Sequence, residues 1–195
     1  MEDAGIKSKG DFHPTSPSIL LNPSLGSGDT YPMTPNKLMT RFQARSWREA
    51  LRREGKTVVF ANGCFDILHG GHVSYFEDAR SRGDALLVAV NSDTSMQALK
   101  GPSRPIVPEQ DRIEVLNALR AIDALVLFDE PTVEPLLRLI RPDFHAKGTD
   151  YTAENVPERQ IAEELGIKII ICGPPKENAT RSIIATILDR YGNPA

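Results

Sequence analysis

The segment FANGCFDILHGGH, residues 60–72, starts as the end of an apolar run and finishes in two histidines, His69 and His72, set around a pair of glycines. Residues 57–62, TVVFAN, have the β-branched and aromatic content of a buried strand. From Gly71 onward, Val73, Phe76 and Ala79 recur at helical spacing and predict a helix with those three side chains inward. A strand that passes through a glycine-containing loop into a helix is the first half of a βαβ unit. It sets the N-terminus of a helix beside the carboxyl end of a strand. Such a terminus carries unpaired N–H groups and a partial positive charge, and it suits a phosphate.

The same alternation continues along the chain. Residues 84–93, 122–129, 142–148 and 167–173 read as further strands, and the run DALLVAVNSD is apolar enough for a sheet covered on both faces. Helices are expected over 45–55, capped by Ser46 and stopped by Gly55, with Trp47, Ala50 and Leu51 on one side. Others are expected at 94–100, 109–121, 132–141, 154–166 and 180–192, with Ile113, Leu116 and Leu119 near helical spacing in the second of these. Strands that alternate with helices imply right-handed crossovers and a parallel sheet. The expected class is α/β, a Rossmann-like doubly wound parallel sheet of five strands with helices on both faces. Ligands of such sheets collect beyond the carboxyl ends of the strands.

Composition narrows the partners. The 195 residues suffice for one domain of ordinary size and a tail. Residues 1–42 are rich in Pro, Ser, Thr and Gly and read as a flexible extension, which leaves 43–195 as the folded domain. The formal net charge of -3 argues against non-specific nucleic-acid binding, yet permits a local basic pocket for a phosphorylated substrate. The two cysteines, Cys64 and Cys172, make no disulfide framework and fit a reducing compartment. No run approaches the ~18 apolar residues of a membrane helix. The N-terminus starts acidic, and SILL is too short for the apolar core of a signal peptide. A cytoplasmic protein with no membrane partner is expected.

Two common phosphate motifs are absent. No string fits G-x-x-x-x-G-K-[ST], and G-x-G-x-x-G does not follow the first strand. The string HGGH has the form H-x-G-H. With the preceding NGCFD, the segment resembles the G-x-F-D-x-x-H-x-G-H signature of the cytidylyltransferase-like nucleotidyltransferase superfamily. Gly63, Phe65, Asp66, His69, Gly71 and His72 match its fixed places. The stretches GDALLVAVNSD, LKGPSRPIVPEQDRIEVLNALRAID and KGTDY are similar to the heptose-1-phosphate adenylyltransferase branch, which occurs fused to a sugar kinase or as a separate chain. The likeness runs from Ser46 to Tyr191, and the length suits the separate form.

The resemblance implies a transfer of AMP from ATP to D-glycero-β-D-manno-heptose 1-phosphate, giving ADP-heptose and pyrophosphate on the way to a surface glycan. It also implies Mg²⁺ with the nucleotide, and a homodimer. A cytidylyltransferase acting on glycerol 3-phosphate, or a nucleotide-binding regulatory protein without turnover, are the alternatives. In the implied reaction the attacking phosphate is already an anion, so charge neutralisation and positioning matter more than a general base.

His69 and His72, at i and i+3, point to one side of a helix entrance and can donate to phosphate oxygens. With Lys100 they form the expected catalytic set. A zinc site is disfavoured, because the helical zinc motif spaces histidines by four and no C-x-x-C occurs. Nucleotide binding is expected of Asn62, Gly63, Cys64, Phe65, Gly71, His72 and Arg104. Gly63 would admit the triphosphate to the backbone, and Phe65 would pack beneath the loop. Cys64 sits at a variable place of the motif and is not expected to be a nucleophile. Residues 101–108, GPSRPIVP, read as a semi-rigid flap. Thr180, Arg181 and Ser182 supply the turn before the last helix, with Ala179 where the family often has a hydroxyl. Substrate binding is expected of Asp66, Asp93, Lys147, Gly148 and Asp150, with Thr149 where a second glycine is common. No residue is a certain metal ligand; Asp66 could act through water. Arg112 and Arg120, two turns apart, could face a phosphate, a subunit contact or the structure itself.

Overall fold

Every side chain from Ala85 to Asn91 is buried, and this strand (β3) lies inside the sheet. The computed structural model describes residues 36–175 and 180–192. The other strands are Leu38–Met39 (β1), Val58–Gly63 (β2), Ala124–Phe128 (β4), Phe144–Gly148 (β5) and Lys168–Cys172 (β6). The helices are Arg41–Arg53 (α1), Gly70–Ser81 (α2), Asp93–Lys100 (α3), Glu109–Ala118 (α4), Glu134–Ile140 (α5), Arg159–Leu165 (α6) and Thr180–Tyr191 (α7). All strand pairs are parallel, in the order β1-β4-β3-β2-β5-β6.

Strand alternation sorts the core into two layers. Phe60, Leu87 and Val126 face Ala44 of α1, Leu137 and Ile140 of α5, and Ile161 of α6. Val59, Leu86 and Val88 face Phe76 and Ala79 of α2 and Leu116 of α4. Helices on both sides explain why the central strands read as unbroken apolar runs.

The sheet has six strands, not five. β1 spans two residues, too short for any periodicity to register, and it pairs with Leu125 and Val126. Lys37 anchors it: its backbone N–H donates to Asn117 Oδ1, and its ammonium donates to the Leu119 carbonyl. Ordered structure therefore reaches into the segment 36–42 that composition assigned to the extension; residues 1–35 lie outside the described residues. The first helix also starts earlier than expected. Thr40, not Ser46, caps it, in a reciprocal capping box with Gln43. Phe76 and Ala79 are inward as expected, but Val73 is exposed and lines a shallow depression with Leu119 and Ala121. α6 begins at Arg159, because residues 153–158 are turns.

The order of strands locates the ligand crevice. The chain passes from β2 to β3 and β4 on one side, then returns to place β5 and β6 on the other. The switch point lies between β2 and β5. There the ladder stops at Ala61↔Ala146. On the outer flanks it runs on, to Gly63↔Val90 and to Gly148↔Cys172. The sheet thus parts at its carboxyl end, between Asn62–Gly63 and Lys147–Gly148. No helix of the described residues is long and apolar enough to cross a membrane.

Candidate active site

At the end of β2 the backbone turns sharply. Phe65 takes a left-handed conformation, φ 48, costly for an aromatic residue. The turn folds its ring back over residue 63, where a Cβ would stand 2.9 Å from the ring. Gly63 is therefore required by Phe65. The ring then packs on Phe76 at 5.0 Å and edge-on to His72 at 5.6 Å. His69 is the N-cap residue of α2, with extended backbone, and its carbonyl accepts from the N–H of His72. The two imidazoles lie with centroids 4.0 Å apart, tilted by 37°. Gly71 occupies the first turn between them. The motif places both rings together at a helix N-terminus, half-buried, beside the crevice.

Asp66 is turned away from this pair. Its Oδ1 accepts from the backbone N–H groups of Ile106 and Val107, and its Oδ2 pairs with Arg104 at 2.5 Å. The carboxylate is buried and engaged by the flap, so it neither orients a histidine nor stands open to a substrate or a metal-bound water. Arg104 shares this clasp.

A second clasp lies beside it. Arg112, buried in α4, donates to the carbonyls of Val107, Cys64 and Asn91 and to the Asp93 carboxylate. Asp93 is therefore tied to Arg112, and its own N–H donates to Glu109. Arg112 joins the flap, the turn after β2 and the end of β3, a structural hub. Arg120 instead lines the depression beside Val73. Lys100, exposed at the end of α3, acts electrostatically on Cys64 together with Arg112 and Arg104. Burial outweighs those three cations and pushes the Cys64 thiol up. The thiol stays protonated, as a residue without a nucleophilic role should.

Across the crevice, Lys147 is buried and pairs with Glu158, its ammonium 5.0 Å from the Tyr151 ring. A Cβ at Gly148 would meet the Asp150 carboxylate at 2.8 Å, so that side chain folds over the glycine. Thr149 donates to the Pro174 carbonyl. At the start of α7 the Thr180 hydroxyl donates to the Ile67 carbonyl at 3.4 Å, which links a second helix N-terminus to the loop that carries the histidines. Arg181 and Ser182 are exposed; Ala179 lies outside the described residues. One residue that the sequence analysis passed over, His145, is fully buried with its ring against Asn62. Glu158 was passed over too; expected inside a helix over 154–166, it stands in the turn just before α6. Among the described residues no three His, Cys, Asp or Glu side chains cluster to hold a metal ion.

Comparison with known proteins agrees with this geometry. The model of the cytidylyltransferase-like family matches residues 60–188. The bifunctional protein HldE of Syntrophotalea carbinolica is 47% identical over 156 residues, covering 80% of this chain and 32% of that protein. HldE of Methylobacillus flagellatus is 46% identical over 149 residues, covering 76% of this chain and 29% of that one. The chain thus spans about a third of the length of these curated relatives. Among solved structures, a lipopolysaccharide core biosynthesis protein from Thermoplasma volcanium superposes with TM-score 0.53 at 27% identity, covering 63% of this chain and 100% of that one. A pantoate-β-alanine ligase from Francisella tularensis, 18% identical, shares the fold at TM-score 0.55, with 75% of this chain and 72% of that one covered.

Proposed function

Because the chain belongs to the cytidylyltransferase-like family, we propose that it is a nucleotidyltransferase that moves AMP from ATP to D-glycero-β-D-manno-heptose 1-phosphate. The observation that carries this reading is the pair His69 and His72, with rings 4.0 Å apart at the N-terminus of α2. The similarity to HldE proteins and to a lipopolysaccharide core biosynthesis protein supports the choice of sugar.

In the reaction, an oxygen of the sugar phosphate attacks the α-phosphorus in line. A new P–O bond forms, the bond to the bridging oxygen of pyrophosphate breaks, and no proton has to be removed from the nucleophile. The task left to the protein is to neutralise charge on the oxygens around the α-phosphorus. The ring N–H groups of His69 and His72 and the N–H groups of Gly70 and Gly71 at the start of α2 serve the α- and β-phosphates. In this reading Lys100 would approach from the flap side, and Thr180 to Ser182 at the start of α7 would bind the far phosphates. Lys147, Gly148 and Asp150 line the β5 side, where the sugar phosphate would enter.

Magnesium belongs to this reading as the counterion that the triphosphate brings. Among the described residues the Asp66 and Asp93 carboxylates make no cage for it, since they are paired with Arg104 and Arg112. A homodimer, which the family resemblance implies, and a cytoplasmic location, expected from the sequence, belong to the same reading; light scattering tests the first.

The deciding experiment is pyrophosphate release, with ATP or CTP crossed against heptose 1-phosphate and glycerol 3-phosphate. Release with ATP and heptose 1-phosphate is expected. Release only with CTP and glycerol 3-phosphate would replace both substrates, and no release with any pair would leave a binding protein without turnover.

A further inference from the structure

His145 is out of place for a strand residue in a packed core. It has no exposed surface and sits on β5 opposite Phe60, whose ring meets it edge-on at 5.7 Å. An apolar β-branched residue would fill such a place without burying polar atoms. The ring makes one hydrogen bond: Nε2 lies 2.9 Å from Oδ1 of Asn62. A carbonyl oxygen can only accept, so Nε2 carries the hydrogen and the pair fixes the ring tautomer. Nδ1 is then left as an acceptor, and it is buried without a partner. Burial, with the charge of Lys147 behind it, keeps the ring neutral. It therefore takes no part in acid–base chemistry near neutral pH.

Asn62 explains why such a residue is kept. It follows Phe60 on the same face of β2, where the apolar column ends, and it lies just beyond Ala61↔Ala146, where β2 and β5 part. Its Oδ1 is held by His145, which turns the amide N–H groups to the other side. Those groups meet no hydrogen-bond acceptor among the described residues, although the side chain is half-buried. A half-buried amide with its acceptor pinned and its donors unused is prepared for an anionic ligand. We infer that His145 is a positioning residue that holds the Asn62 amide as a fixed donor to a triphosphate oxygen in the crevice between β2 and β5.

The inference rests on the nucleotidyl-transfer reading, and the test separates the two. Affinity for a non-hydrolysable ATP analogue is measured by calorimetry on the full chain, alongside the thermal midpoint. The variants are His145→Leu, His145→Gln, Asn62→Ala and the double variant His145→Leu with Asn62→Ala. His145→Leu is expected to weaken binding roughly tenfold without lowering the thermal midpoint, since it removes the buried unpartnered Nδ1 and the Asn62 Oδ1 that loses its donor is only half-buried. His145→Gln, which keeps a donor for Oδ1, should restore most of the affinity. The double variant should bind no worse than Asn62→Ala alone, because the two residues act as one unit.

His145→Leu at wild-type affinity overturns the inference, and so do additive losses or equal losses in the Leu and Gln variants. Should His145→Leu fail to fold, Asn62→Ala at wild-type affinity overturns it equally. A wild-type chain that binds no nucleoside triphosphate fails the nucleotidyl-transfer reading first, and takes this inference with it.

Discussion

A methyl group at residue 63 would stand 2.9 Å from a ring that has nowhere to go, because Phe65 is held between Phe76 and His72. Gly63→Ala should therefore destabilise the fold by roughly 1–3 kcal/mol, as overpacking does, and displace His72 as the Phe65 ring shifts. Thermal unfolding checks the first effect. The imidazole resonances of His72, which should move in the variant, check the second. His72→Ala tests the chemistry itself: turnover should fall about 10²–10³-fold, the worth of one preorganised donor to a developing charge, with the far-ultraviolet spectrum unchanged. A variant at wild-type rate would remove His72 from the catalytic set. The motif was legible in the sequence because the spacing of Gly63, Phe65, His69 and His72 is local. The purpose of Gly63 was not. A chain of letters does not show that Phe65 folds backward, so the glycine read only as room for phosphate and its room for a ring went unread.

At the scale of elements, the flap is held by groups that looked like ligands. Asp66 and Asp93 both stand at strand ends, where an acid suggests substrate, yet each meets an arginine from further along the chain: Arg104 and Arg112. Those partnerships join residues 38 and 19 positions apart, and no periodicity announces them. Arg112 in particular lies on α4 next to Ile113, where the sequence left a phosphate, a subunit contact and the structure itself open. Asp66→Ala should cost roughly 3–5 kcal/mol, the usual loss when one member of a buried pair is removed. It should also speed amide hydrogen exchange at Ile106 and Val107, whose N–H groups lose their acceptor. Arg104→Ala, which leaves both of those bonds to Asp66 intact, should leave their exchange slow. Equal exchange in the two variants would mean that the ion pair alone holds the flap. The strands and most helices were legible, since buried parallel strands carry long apolar runs and the helices carry turn signals between them. β1 was not, because two residues cannot show a period.

For the whole molecule, the segment 36–40 matters. A chain that begins at Asn36 keeps every described contact. One that begins at Arg41 loses β1, the two hydrogen bonds of Lys37 and the Thr40 cap. The cap alone is worth about 1 kcal/mol, so the shorter chain should unfold at a clearly lower urea concentration than the longer one. Coincident transitions would show that the sheet needs no sixth strand.

Acid stability follows from the same buried residue that positions Asn62. His145 has its pKa lowered to about 3 by burial first and by the Lys147 charge second, against 6.5 when unfolded. Between those values the unfolded chain binds the proton and the folded chain does not. Stability is thus complete above the unfolded pKa and falls as pH drops toward the folded one. The slope is about 1.4 kcal/mol per pH unit for this single group. Asp78 and Glu130 are also held low, by the Gly173 N–H and Arg82 and by Arg41 respectively, but they titrate below the ordinary carboxylate range. Comparing wild type with His145→Leu isolates the histidine from these and from the other imidazoles. Between pH 7 and pH 4.5 the wild-type chain should lose roughly 2–3 kcal/mol more than the variant in urea unfolding. Parallel losses would mean that His145 is hydrated and not sealed beneath the crevice.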